Sequence, residues 1–210
     1  MNKRLVWNFE ISDKHPLDLA NMTPEEPSLW RAEIRYFWED TANIVLHGLS
    51  DMFLNLALYK IKERKDLYYL LPNHDYNIKE RRNELLFKPL MQGSVGLQEF
   101  AKKINLSQSG LNDILPGCLP IATGKLLELV TNESTRVYVE KNALIYKFAT
   151  EPGIKLELAR LTIADKCYFS ACLEGRSKNL VTLINKQLFK DETASDYVHF
   201  LKKSGGLINE

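Results

Sequence analysis

The chain has little of what would define a class at once. Its 210 residues include only three cysteines, Cys118, Cys167 and Cys172, too few and too irregularly spaced for a disulfide framework or a structural zinc site, both of which need paired ligands. The four histidines, His15, His47, His74 and His199, are scattered without ligand spacing. Net charge is nearly absent: 28 Lys and Arg against 27 Asp and Glu leave +1, so a simple polycation or polyanion is excluded and any electrostatic function is local. No basic segment followed by an apolar run opens the sequence, so no secretory signal is expected and the reducing cytoplasm is the expected compartment. The longest greasy stretch, 44–58, contains His47, Ser50, Asp51 and Asn55 and falls short of a membrane span. Its near-helical spacing predicts a buried helix.

What is present is alternation. Trp30 to Trp38 puts Arg31, Glu33 and Arg35 on one face of a strand and Ala32, Ile34 and Tyr36 on the other. Two cations flanking a carboxylate on one face ask for an anion between them, because like charges so close repel. Phosphate is the expected anion. A later strand repeats the stripe with Asn77, Lys79 and Arg81, its neighbour offers Glu84, Leu86 and Lys88, and further strands add Arg136, Lys147, Glu157 and Glu174. Each polar residue sits among apolar neighbours, the one-dimensional form of a barrel with a polar lumen and an outer coat.

The remaining punctuation predicts the frame. Residues 1–29, with Pro16, Pro24 and Pro27, read as an extended N-terminal arm, and 30–210 as a single domain. Strands are expected at 66–71, 76–82 and 84–90, with reversals at Pro72–Asp75 and Asn83. Lys60 to Lys65 reads as a solvated helix end, and helices are expected over 97–104 and, behind Thr123, over 124–129. Strands 134–140 and 143–149 would form a hairpin across Lys141-Asn142, followed by strands 154–163 and 166–173 joined at Ala164-Asp165, then helices at 178–189 and 194–202. The expected fold is α+β: an antiparallel eight-stranded β-barrel, or tunnel, with flanking and C-terminal helices.

These strands resemble the CYTH-like superfamily of triphosphate tunnel metalloenzymes, whose tunnels use an N-terminal Glu-x-Glu-x-Lys strand, paired basic residues and late acidic residues. Arg31-Ala32-Glu33-Ile34-Arg35 would be the first motif, Lys79, Arg81, Lys88 and Arg136 the cations, and Glu157 and Glu174 the late carboxylates. The match runs from about Trp30 to Glu174 and departs at Arg31, where the family places a glutamate. The resemblance implies a metal-dependent phosphohydrolase acting on inorganic triphosphate or a nucleoside triphosphate. Glu33, Glu157 and Glu174 would be the catalytic carboxylates that hold Mg²⁺ or Mn²⁺, and Arg31, Arg35, Lys79, Arg81, Lys88, Arg136 and Lys147 would grip phosphate. Arg31 favours the alternative of a non-catalytic module that binds polyphosphate or nucleotide, and kinship with polyphosphate polymerases or adenylate cyclases is a further one. Glu157 and Glu174 also read as plain ion-pair partners. Nucleic acid and membrane are not expected partners.

Overall fold

The structure is a computed structural model that describes residues 1–19, 23–94, 96–190 and 192–208. Among them the strands are β1 (Lys3–Val6), β2 (Phe9–Ser12), β3 (Arg31–Glu39), β4 (Ile44–His47), β5 (Lys60–Leu70), β6 (Asn77–Arg81), β7 (Glu84–Lys88), β8 (Leu90–Ser94), β9 (Leu97–Phe100), β10 (Ile104–Asn105), β11 (Ile114–Leu115), β12 (Ile121–Ala122), β13 (Thr135–Lys147), β14 (Lys155–Ile163) and β15 (Lys166–Gly175). The α-helices are α1 (Thr123–Glu133), α2 (Lys178–Leu188) and α3 (Tyr197–Ser204).

Ten strands make one sheet in the order β10-β7-β6-β5-β13-β14-β15-β3-β9-β8, and every neighbouring pair is antiparallel. Strand β7 lies beside one edge and β8 forms the other, yet only Pro89 separates them in sequence. That single-residue link curls the sheet until its ends approach. The Pro89 carbonyl accepts a bond from the Ala101 amide at 3.1 Å, just beyond β9. The sheet therefore has ten strands where eight were expected, and no ladder joins β10 to β8 among the described residues. It is a curled half-barrel.

Several local expectations are corrected by pairing. Lys141 and Asn142 do not turn: β13 runs straight through them, held by β5 from Thr135↔Leu70 to Ile145↔Lys60 and by β14 from Glu140↔Thr162 to Lys147↔Lys155. Two continuous ladders outweigh a weak turn preference. The reversals that do form have positive φ at Arg82 and Asn83, and at Ala164 and Asp165, as two-residue hairpin turns require. Residues 97–100 are a strand between β3 and β8, Lys60–Leu70 is one long strand with no helix end, and 44–58 divides into β4 and two 3₁₀ turns. The N-terminal arm contains β1 and β2, which form a small sheet with β4. Glu25 ties it to the main body through the Ser177 hydroxyl and the Asn179 amide.

Alternation then sorts the two faces. On the convex side α2 and the β1-β2-β4 sheet cover one apolar cluster that includes Ile34, Tyr36 and Leu156, and α1 covers another around Ile78 and Phe87. On the concave side the inward rows change character along each strand. In β3, Arg31, Glu33 and Arg35 give way to Phe37; in β5, Lys60, Lys62, Arg64 and Asp66 give way to Tyr68 and Leu70; in β14, Lys155 and Glu157 give way to Ala159, Leu161 and Ile163. The apolar half is filled by α3 through Tyr197, Val198 and Leu201, with Phe200 stacked on Phe37 at 3.8 Å and Tyr197 on Tyr68 at 5.1 Å. The buried Lys202 pins the helix to the 72–75 turn, donating to the Pro72 and His74 carbonyls and to Asp75 at 3.3, 3.0 and 2.7 Å.

The plug has one polar defect: the buried Tyr197 hydroxyl has no hydrogen-bond partner among the described residues. An unmet buried hydroxyl costs stability, whereas a deleted core leucine leaves a cavity. In thermal or urea unfolding, Leu201→Ala is expected to lose about 2–5 kcal/mol and Tyr197→Phe to lose nothing. A large loss in Tyr197→Phe would mean that its hydroxyl is satisfied.

Candidate functional site

The charged half of the concave face bounds a cavity of about 370 Å³. Arg31, Glu33 and Arg35 reach it from β3, Lys79 from β6, Lys88 from β7, Glu157 from β14 and Glu174 from β15. Seven of the residues singled out in the sequence are thus brought together from five strands. Arg81 stands one ion pair away, where its guanidinium grips Asp66 through two bonds of 2.5 Å while Lys79 holds the same carboxylate at 2.9 Å. The remaining two are not brought in. Arg136 projects from the opposite face of β13 to Lys141, with its guanidinium 5.7 Å from the centre of the Tyr69 ring. Lys147, at the end of β13, is exposed and lies against Gly153.

The cavity also holds cations that the sequence reading passed over: Lys60, Lys62, Arg64, Lys103, Lys141 and Lys155. The signal for three of them was available, since Lys60, Lys62, Arg64, Asp66 and Tyr68 alternate at the strand period. Lys141 was hidden by its resemblance to a turn, and Lys103 follows β9 with no periodicity to mark it.

The buried Arg35 is the hub. Its Nε donates to Glu33 at 3.2 Å, its Nη1 donates to Glu157 and to the Ser170 hydroxyl at 3.3 Å each, and the guanidinium lies 5.1 Å from the centre of the Tyr197 ring. Glu33 also takes Lys88 at 2.5 Å, and Glu157 takes Lys141 at 2.9 Å and Arg64 at 3.8 Å. Burial pushes both carboxyls up, but the cations outweigh it, and Glu33 and Glu157 are held well below the usual carboxylate range. Burial likewise opposes ionisation of Asp66, yet Arg81 and Lys79 bring it down to about 2. The Lys103 ammonium, crowded in the cavity by Arg81, Lys88 and Arg64, is lowered to about 8 by burial first and repulsion second.

Glu33 and Glu174 are directly opposed on adjacent strands, an arrangement that repels unless a cation intervenes. A divalent ion is one solution, since Mg²⁺ and Mn²⁺ favour carboxylate oxygens. The chain supplies another. Glu33 is neutralised by Arg35 and Lys88, and Glu174 by Arg31 at 3.1 Å and Lys155 at 3.5 Å. Glu33 and Glu157 spend both oxygens on these pairs. The donor set does not fit a Mg²⁺ or Mn²⁺ centre, and no group of three or more metal-ligating side chains is assembled among the described residues.

No family model matches the chain, and no curated protein is similar to it in sequence. Among solved structures it is similar to a protein from Hippeastrum described as an adenylyl cyclase candidate with a dominant triphosphatase activity, at 13% identity and a TM-score of 0.47 over 83% of this chain and 96% of that one. It is also similar to a protein from Bacillus halodurans described as a candidate adenylate cyclase, at 12% identity and a TM-score of 0.37 over 85% of this chain and 91% of that one. Among the described residues no helix is long and apolar enough to cross a membrane.

The depressed carboxyls fix a pH window. A carboxyl lowered on folding contributes stability that is fully present above its ordinary value of 4.5 and is lost as pH falls toward the folded value. In urea unfolding the stability gap between the wild type and Glu157→Gln should be constant from pH 7 to 5.5 and shrink as pH is taken below 4.5. A gap independent of pH would mean that Glu157 is not ionised in the folded protein.

Proposed function

We propose that the cavity binds the phosphate chain of a triphosphate, a polyphosphate or a nucleotide. The observation that carries this reading is the imbalance of its walls: ten lysines and arginines face three glutamates. After the internal ion pairs are formed, Lys60, Lys62 and Lys103 have no carboxylate partner among the described residues. Gathering so many cations costs stability unless an anion completes them. A linear chain of phosphates suits the cavity, because charge-assisted bonds from lysines and forked bonds from arginines can be distributed along its oxygens. In this reading the chain's own cations neutralise the ligand, and binding needs no divalent ion.

Hydrolysis of the bound chain is the second reading. The partly exposed Glu174 favours it, since it is the most solvent-accessible of the three site glutamates and its hydrogen bond from Arg31 falls on Oε1. Positioning and charge neutralisation supply most of the catalysis in phosphoryl transfer, and the cations already meet that requirement. Mg²⁺ or Mn²⁺, which the family resemblance implies, finds no prepared ligand set.

Calorimetric titration with inorganic tripolyphosphate in the presence of a chelator tests the binding reading, and phosphate release with and without Mg²⁺ or Mn²⁺ tests the second. Binding is expected without metal, with a rise in thermal midpoint and weakening by added salt. Folded protein that shows neither heat nor a thermal shift would overturn it. Affinity should fall as pH rises through about 8, where Lys103 loses its proton, and Lys103→Met should bind more weakly at pH 7 and lose that step.

A further inference from the structure

Most lysines of the cationic cavity are engaged. Lys79 is buried between Asp66 at 2.9 Å and the Tyr68 hydroxyl at 3.2 Å, Lys88 holds Glu33, Lys141 holds Glu157 at 2.9 Å and Lys155 holds Glu174 at 3.5 Å. Lys103 is different. It follows β9 and faces Arg64 from β5, Lys79 and Arg81 from β6 and Lys88 from β7, and the one acid that acts on it, Asp66, is already spent on Arg81 and Lys79. As a residue Lys103 is exposed, so a reagent in solution can reach it, while protein crowds it on the cavity side. The neighbouring Arg64 reaches Glu157 only at 3.8 Å, beyond a hydrogen bond, so its fork is open to a phosphate.

We propose that Lys103 is a modification site for acyl phosphates, the mixed anhydrides of a carboxylic acid and phosphoric acid, a proposal that rests on the phosphate-binding reading. Such a reagent joins an anion that the cavity gathers to an electrophile that an amine attacks. The Lys103 nitrogen forms a bond to the acyl carbon and the bond from that carbon to the phosphate oxygen breaks. Its electron pair leaves with inorganic phosphate, and the amine proton passes to solvent. Attack requires the unprotonated amine, and the surroundings favour it: burial first and repulsion from Arg81, Lys88 and Arg64 second lower Lys103 to about 8. At pH 7 it therefore holds on the order of a hundredfold more free amine than an ordinary lysine. Lys62 is lowered as well, by burial and by Arg64, Lys60 and Lys155, but less far. The product is a neutral amide, so acylation removes a positive charge from the wall and weakens the hold on phosphate.

The test treats folded wild-type protein at pH 7 with acetyl phosphate and, separately, with N-hydroxysuccinimidyl acetate, an acyl donor that carries no phosphate, and maps acetylated lysines by peptide mass. With acetyl phosphate Lys103 is expected to react about tenfold faster than the median lysine, with saturating tripolyphosphate suppressing the reaction. With the phosphate-free donor its lead should be smaller. No lead with acetyl phosphate, an equal lead with both donors, or no protection by tripolyphosphate would overturn the site. If tripolyphosphate still binds by calorimetry, the phosphate reading stands, and absence of that binding would overturn both. Acetyl phosphate treatment should weaken tripolyphosphate binding by the wild type and not by Lys103→Arg, which keeps the charge. An equal loss in both would overturn the control of binding through Lys103. The mapping needs no variant, so misfolding of Lys103→Arg does not blunt it.

Discussion

The buried guanidinium of Arg35 is the constraint on which the concave face depends. It belongs to β3, bonds carboxylates of β3 and β14 and the Ser170 hydroxyl of β15, and lies beside Tyr197 of α3. Its backbone carbonyl accepts the Ser195 amide at 2.8 Å, just ahead of that helix. A charge taken so far out of water is tolerable only with close partners, and here the partners come from each neighbouring layer. Sliding β3 by one residue would turn Arg35 toward the convex core and Ile34 or Tyr36 into the cavity. The ion pairs therefore specify register as well as charge.

Around that hub the face is deliberately out of balance. Every carboxylate in the cavity is paired, most of them twice, and cations are left over. Such an arrangement is stressed: Lys103 is lowered to about 8 by burial and by its neighbours, and Lys62 is lowered by burial and by Arg64, Lys60 and Lys155. A fold selected for stability alone has no reason to keep these residues together. Aromatic faces ease part of the cost, with Lys79 over Tyr68 at 5.0 Å and Lys141 over Tyr197 at 5.2 Å, and the apolar half under α3 carries the structure.

How much of this was legible depended on whether the information was local. The stripe on β3 and the one on β6 were visible because a strand's period is 2 and the residues are adjacent in sequence. The same rule applied to Lys60, Lys62 and Arg64 would have found them, but the preceding apolar run mimicked a helix and carried the misreading forward. Lys141-Asn142 looks like a turn because turn preference is local, while the two ladders that keep β13 straight there come from Arg64 and Glu63, far earlier in the chain, and from Leu161 and Arg160 after it. Order along the chain points to Arg136 and Lys147 but carries no phase against Lys141, and the odd spacing between Arg136 and Lys141 is what puts Arg136 on the far face of β13. The step from eight strands to ten combines one loss, since the expected strands 134–140 and 143–149 are the single β13, with three short gains, β8, β9 and β10, whose partners lie far away in sequence or across a tight turn.

Arg31 sharpens what the site is built to do. Where the resembled family has a carboxylate, the guanidinium changes the local charge by two units and gives Glu174 a partner at 3.1 Å. That contact, with Lys155 on the same oxygen and Lys88 and Arg35 on Glu33, resolves a repulsion between opposed carboxylates that would otherwise attract a divalent ion. Those internal cations would have to be displaced before a metal could enter, whereas a phosphate chain meets positive charge that is already in place. The same residues that neutralise the opposed carboxylates therefore raise the potential felt by an incoming anion. At Lys88 that potential meets the aromatic wall of an adjoining second cavity, since the ammonium that pairs with Glu33 lies 3.6 Å from the centre of the Phe100 ring.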